Sequence, residues 1–132
     1  MLDDHPAGCR NLMRRILICD DERQVADELC EFFTLCGWQA VPSYSSREAR
    51  RLLMQSVEFD CLLTDNAMPG GNGLALVTFA STLPPPQRPA ILCLMTGIIE
   101  DRTACPSDIL HVGKPFDAHE LHKDLTEMLR QS

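Results

Sequence analysis

Short apolar runs that stop on polar or turn-forming residues recur along the 132-residue chain, and they restrict its fold more than any other feature. Arg15-Ile-Leu-Ile-Cys19 ends in Asp20-Asp21, Trp38–Val41 in Pro42, Cys61–Thr64 in Asp65, Ala90–Met95 in Thr96-Gly97, and Ile109–Val112 in Gly113-Lys114-Pro115. Such runs are too short for helices, and without internal charge they read as strands buried on both faces, the habit of parallel sheets. Pro42 marks the second run as a strand end or an edge strand. The run before Asp65 organises the rest, because a glycine-rich stretch reaching Gly73 follows it directly. In open α/β sheets the loops at the carboxyl ends of the strands converge on a crevice where ligands bind. Asp65 is therefore a candidate for chemistry.

Helical patterns fill the intervals. From Glu22 to Cys36 the apolar residues Val25, Ala26, Leu29, Phe32, Phe33 and Cys36 recur at steps of three and four, and Gly37 ends the pattern. Ser45 with Glu48 forms a capping box ahead of Ala49, Leu52, Leu53 and Val57, with Arg47, Arg50 and Arg51 expected to face solvent. Leu74–Leu83 predicts a third helix, closed by Pro84-Pro85-Pro86. Asp117 with Glu120 opens a final helix whose apolar face is Leu121, Leu125, Met128 and Leu129. The alternation predicts a doubly wound, five-stranded parallel sheet with right-handed crossovers and helices on both faces. Residues 1–13 are polar and unpatterned and read as a tail; residues 14–132 suit one domain with its own core.

Charge and composition remove several functional classes. A net charge of −7 without a run of Lys or Arg argues against a surface that tracks nucleic-acid phosphates. No apolar stretch approaches membrane-spanning length, and the N-terminus lacks the apolar centre of a signal peptide, so a cytoplasmic protein is expected. The seven cysteines are odd in number and contain no CxxC pair. Cys19, Cys61 and Cys93 fall in strands and Cys30 and Cys36 in a helical pattern, which reads as small buried hydrophobes. A disulfide framework is not expected in a reducing compartment; redox reactivity at Cys9 or Cys105 stays open.

If all five strands run parallel, Asp20, Asp21, Asp65, Thr96 and Lys114 arrive at one edge of the sheet. Crowded carboxylates repel one another and call for a cation. All-oxygen ligands suit Mg²⁺, with Mn²⁺ as a substitute, and the fitting chemistry is phosphoryl transfer to an aspartate. Thr96 and Lys114 could each engage a phosphoryl oxygen, and the Ala67 carbonyl lies near enough in sequence to complete a metal shell. Plainer readings stand beside these. Asp20 and Asp21 could begin a helix whose dipole favours acids, Asp65 could form a turn, and Thr96 and Lys114 could be ordinary loop residues. His119 and His122 share a helical face, but two ligands do not make a metal site, and they read as solvated or partner-facing.

Together ILICDDE, LLTDNAMPG, LCLMTG and VGKPF resemble, in order, the motifs of the receiver domain of two-component response regulators, and the resemblance runs from Arg14 to Leu129. It implies the flavodoxin-like strand order 2-1-3-4-5. It implies that Asp65 is the phosphoacceptor, that Asp20, Asp21, Asp65 and the Ala67 carbonyl hold Mg²⁺, and that Thr96 is the switch hydroxyl. Lys114 becomes the phosphate-pairing lysine ahead of a cis Pro115, and His111 stands where the family often carries a switch Tyr or Phe, a packed or exposed strand residue being the plainer reading. The implied partners are a sensor histidine kinase or a histidine phosphotransfer protein and a downstream protein, with phosphorylation-dependent homodimerisation as one form of output. With no output domain after the last helix, the chain is expected to act through a partner or as a phosphate relay, unless it is a fragment of a longer regulator.

The chain also departs from the family pattern. The stretch between Thr96 and Lys114 is about one helical turn short and contains Cys105-Pro106, so the helix expected there should be short or irregular. Ala67 and Ile98 are apolar where many relatives are polar, which implies poor orientation of attacking water and a long-lived phosphoryl group. A phosphorylation-independent interaction module with the same fold is the main alternative. A haloacid-dehalogenase-like phosphatase would want an acid where Ala67 stands, and a flavodoxin-like flavin carrier would want a phosphate-cradling loop where Asp20 and Asp21 stand.

Overall fold

Each of the five apolar runs forms a strand. The computed structural model describes residues 13–55, 58–68, 72–97 and 108–131. In chain order the elements are β1 (Arg15–Cys19), α1 (Arg23–Leu35), β2 (Gln39–Ser43), α2 (Ser46–Leu53), β3 (Cys61–Asp65), α3 (Gly73–Ser81), β4 (Ile91–Thr96), β5 (Ile109–Gly113) and α4 (Ala118–Gln131). Every strand pair is parallel, and the sheet order is β2-β1-β3-β4-β5, as the strand pattern and the family motifs imply. β3 and β4 are buried at every residue, which explains why each is apolar up to the polar residues at its carboxyl end.

The alternation of side chains along each strand divides the core in two. Ile16, Ile18, Cys61, Leu63, Cys93 and Met95 face α1 and α4, where Phe33, Leu121 and Leu125 meet them. Leu17, Cys19, Leu62, Leu92 and Leu94 face α2 and α3, against Leu53, Leu76 and Val77. The sheet is thus covered on both faces, and all five strands deliver their carboxyl ends to one edge.

Local signals set the boundaries. Gly37 follows α1 with a φ of +93°, the left-handed conformation that glycine adopts without strain. The Ser45 capping box forms: its Oγ accepts the Glu48 amide at 3.1 Å, and Glu48 Oε1 accepts the Tyr44 amide at 2.8 Å. At α4, Asp117 Oδ1 accepts the His119 amide at 2.8 Å.

Several sequence expectations are corrected. β2 does not end at Val41; it runs through Pro42 to Ser43 as the edge strand. α3 starts and stops earlier than Leu74–Leu83. Arg50 does not face solvent freely but stacks its guanidinium 4.8 Å from the Phe79 ring centre. Met128 is 40% exposed, off the stripe that Leu121, Leu125 and Leu129 bury. His119 is exposed, as expected, with its ring 4.8 Å from Phe32, whereas His122 is half-buried, 5.9 Å from Phe33 and 5.7 Å from Trp38, centroid to centroid. Cys19, Cys30, Cys61 and Cys93 are buried free thiols, while Cys36 is only half-buried. The tail over residues 1–12, Cys9, Val57, Ile98, Cys105-Pro106 and the helix expected between β4 and β5 lie outside the described residues.

Candidate functional site: an acidic cluster at the carboxyl edge of the sheet

Asp20 follows β1 and is fully buried. Its amide donates to the Ser43 carbonyl at 3.1 Å, and its Oδ1 accepts the Glu22 amide at 3.0 Å. Its Oδ2 is buried with no hydrogen-bond partner. Asp65, the last residue of β3, is 7% exposed, and Asp21 is exposed beside them. Carboxylate oxygens of Asp20, Asp21 and Asp65 all lie within 4.8 Å of one another. The Lys114 ammonium sits 2.8 Å from Asp65 Oδ1 and 3.6 Å from Asp20 Oδ2.

The sheet register brings the remaining residues in. Thr96 ends β4 and is buried, and its carbonyl accepts the Lys114 amide at 2.7 Å, tying the two strand ends together. Asn66 continues the ladder past Asp65 by donating to the Met95 carbonyl at 3.0 Å. Ala67 is exposed two residues beyond Asp65, and His111 is half-buried on β5 opposite Leu94. The Lys114–Pro115 peptide is cis, in agreement with the family motif; Pro85–Pro86 is cis as well.

Electrostatics make the cluster a match for positive charge. Burial pushes the Asp20 carboxyl above its usual range, and the charge of Asp65 adds to this against the opposing pull of the Glu22 amide and Lys114. Burial lowers the Lys114 ammonium, but the hydrogen bond and charge of Asp65, with the charge of Asp20, outweigh it and leave the lysine raised. One ammonium thus faces three carboxylates. Asp20 Oδ2, which has only the 3.6 Å ion pair to Lys114 and no hydrogen bond, and the all-oxygen donor set fit a divalent ion of the Mg²⁺ kind.

Four supporting residues escaped the sequence reading. Ser43 and Glu22 hold Asp20 through backbone groups, which leave no trace in residue type. Asn66 Oδ1 accepts the Leu74 amide at 3.2 Å, capping α3 from the residue next to Asp65. A Cβ on Gly73 would overlap the Asp65 carbonyl oxygen and lie 2.9 Å from Asn66 Cα. A glycine opening a helix just after a loop was the available signal for that close approach.

An open parallel sheet with acids and a lysine gathered at its carboxyl edge defines a flavodoxin-like α/β domain with an acidic crevice. The chain belongs to the response regulator receiver domain family, whose sequence profile matches residues 16–126. It is 30% identical to the transcriptional regulatory protein CpxR of Escherichia coli K12, over 91% of this chain and 51% of that protein. The chain therefore spans about half the length of the curated relatives it matches. Its fold is shared by the CheY-like receiver domain of Methanospirillum hungatei, with a TM-score of 0.78, 21% identity and coverage of 90% of this chain and 95% of that one. It is shared also by the response regulator TrrA of Thermotoga maritima, solved in complex with Mg²⁺ and BeF, with a TM-score of 0.71, 23% identity and coverage of 87% and 98%. No helix among the described residues is long and apolar enough to cross a membrane.

Proposed function

We propose that this receiver domain accepts a phosphoryl group on Asp65 from a phosphorylated histidine of a sensor kinase or phosphotransfer protein. The observation that carries this is the Lys114 ammonium 2.8 Å from Asp65 Oδ1, with Asp20 and Asp21 beside it. An Asp65 oxygen attacks phosphorus, a P–O bond forms as the P–N bond breaks, and the departing imidazole keeps the electron pair and takes a proton from water. Lys114 neutralises a phosphoryl oxygen and the Thr96 hydroxyl donates to another. Asp20, Asp21, Asp65 and the Ala67 carbonyl are the residues that would hold Mg²⁺, or Mn²⁺ in its place. The bound ion supplies charge neutralisation at the transferred group.

Phosphorylation adds roughly 1.5 to 2 negative charges, drawing Thr96 and Lys114 inward. Because the Lys114 amide is bonded to the Thr96 carbonyl, the two strand ends respond together. Inverting a two-state population from 1:99 to 99:1 takes about 5.5 kcal/mol. Two new charge-assisted hydrogen bonds of roughly 1.5–3 kcal/mol each approach it. His111 on β5 relays the change to a surface read by a downstream protein or by a second copy of the chain. The receiver unit is residues 14–132, with residues 1–13 as a tail, working in the cytoplasm. Its only catalysis is on itself, and the exposed, apolar Ala67 makes dephosphorylation slow.

Intact-mass spectrometry after incubation with acetyl phosphate and Mg²⁺ tests the proposal. A single Mg²⁺-dependent phosphoryl adduct, absent from Asp65→Asn, is the expected result. No adduct in a folded protein that also ignores beryllofluoride would replace the proposal with a phosphorylation-independent interaction module. An adduct lifetime of seconds would remove the argument from Ala67.

A further inference from the structure

The start of α1 and the first turns of α2 flank an open, solvent-facing cavity of about 430 Å³ lined by Arg23, Tyr44, Ser45, Arg47, Glu48 and Arg51. Three arginines around one cavity are unexpected in a chain of net charge −7. Glu48 is their only acidic neighbour in the lining, and its Oε1 already accepts the Tyr44 amide. The Tyr44 hydroxyl donates to Asp27 at 2.6 Å, and the Arg23 guanidinium stacks 4.1 Å from the centre of the Tyr44 ring. Stacking occupies the face of that guanidinium and leaves its N–H edge for a ligand. Arg47 and Arg51 are exposed, one helical turn apart on the same face, and among the described residues neither makes an ion pair or hydrogen bond. Like charges at that spacing repel, a cost that an anion between them would relieve.

We propose that this cavity binds a phosphate-bearing small molecule of nucleotide size, at a site separate from Asp65. Its volume lies in the range of small-molecule pockets. Three guanidiniums against Glu48 and the Asp27 carboxylate beside Tyr44 leave about one positive charge, which a phosphate group answers. Guanidinium forks take phosphate oxygens in pairs, and a diphosphate offers three forks more acceptors than the two oxygens of a carboxylate. The cavity wall also leads to the acidic cluster. Tyr44 and Ser45 continue from Ser43, whose carbonyl holds the Asp20 amide, and the Ser45 carbonyl accepts the Cys19 thiol at 3.5 Å. A ligand that orders this wall therefore acts one residue away from the support of Asp20.

The test is a titration of the chain with inorganic pyrophosphate and, separately, with ADP, in metal-free buffer, following backbone amide resonances. Saturable shifts at Arg23, Tyr44, Arg47 and Arg51 are expected. Binding should weaken about tenfold or more in Arg47→Ala/Arg51→Ala and stay unchanged in Arg130→Ala, whose spectra also report that each variant is folded. ADP binding tighter than pyrophosphate identifies a nucleotide as the source, and equal binding identifies the polyphosphate group alone; both support the site. Shifts confined to Asp65, Thr96 and Lys114 would overturn it. So would affinity unaltered by the arginine substitutions, no saturation at millimolar ligand, or binding of a polyglutamate peptide in place of both phosphates.

Discussion

Gly73 imposes a constraint that no neighbouring side chain can relax, because a methyl group there meets backbone at Asp65 and Asn66. Backbone cannot rotate aside as a flexible side chain can. Gly73→Ala is expected to shift Asp65, the proposed phosphoacceptor, and slow adduct formation about ten- to a hundredfold, the sensitivity that sub-ångström misplacement confers on group transfer. The strain should also destabilise the fold by about 1–3 kcal/mol; rates from mass spectrometry and urea midpoints check the two effects separately. Asp20, Asp21, Asp65, Thr96 and Lys114 were legible in the sequence because strand-end position and residue chemistry coincide there. Ser43 and Glu22 were not, since they act through a carbonyl and an amide that every residue possesses.

At the scale of elements, α2 shows how a local pattern fixes a boundary. Ser45→Ala removes the acceptor of the Glu48 amide and should cost about 1 kcal/mol, seen as a fall of roughly 3–5 °C in Tm. Adduct formation on Asp65 should survive the change, since Ser45 contributes no group to the acidic cluster. The capping box, the glycine stop after α1 and the buried strands were readable because each depends on residues close in the chain. The fate of Arg50, Met128 and His122 was not, because it depends on the neighbour an element meets. His122 sits among Phe33 and Trp38 only once α4 lies against α1, a long-range fact that helical periodicity does not contain. Arg50 likewise finds Phe79 only through the packing of α2 on α3.

The whole molecule carries buried thiols that tie its stability to pH. Burial lifts the Cys93 thiol from 9.0 to about 12, and burial with the charge of Asp27 lifts Cys30 from 9.0 to about 11. Above pH 9 the unfolded chain releases protons that the folded chain retains, so alkali favours unfolding. Stability present below pH 9 is expected to decline between pH 9 and 11, and Cys93→Ala should flatten that decline; urea midpoints measured across the range check it. The outer border of the sheet carries a different consequence. Gln39 donates to Arg14 across the β1–β2 boundary, and strand alternation sends Val41 and Ser43 the same way, leaving Pro42 directed outward. The imino acid therefore costs the fold no ladder bond, while a passing chain finds a donor missing where it would begin to zip on. Growth of the sheet into a fibril is disfavoured on that flank, because a chain adding there meets a gap in the row of donors.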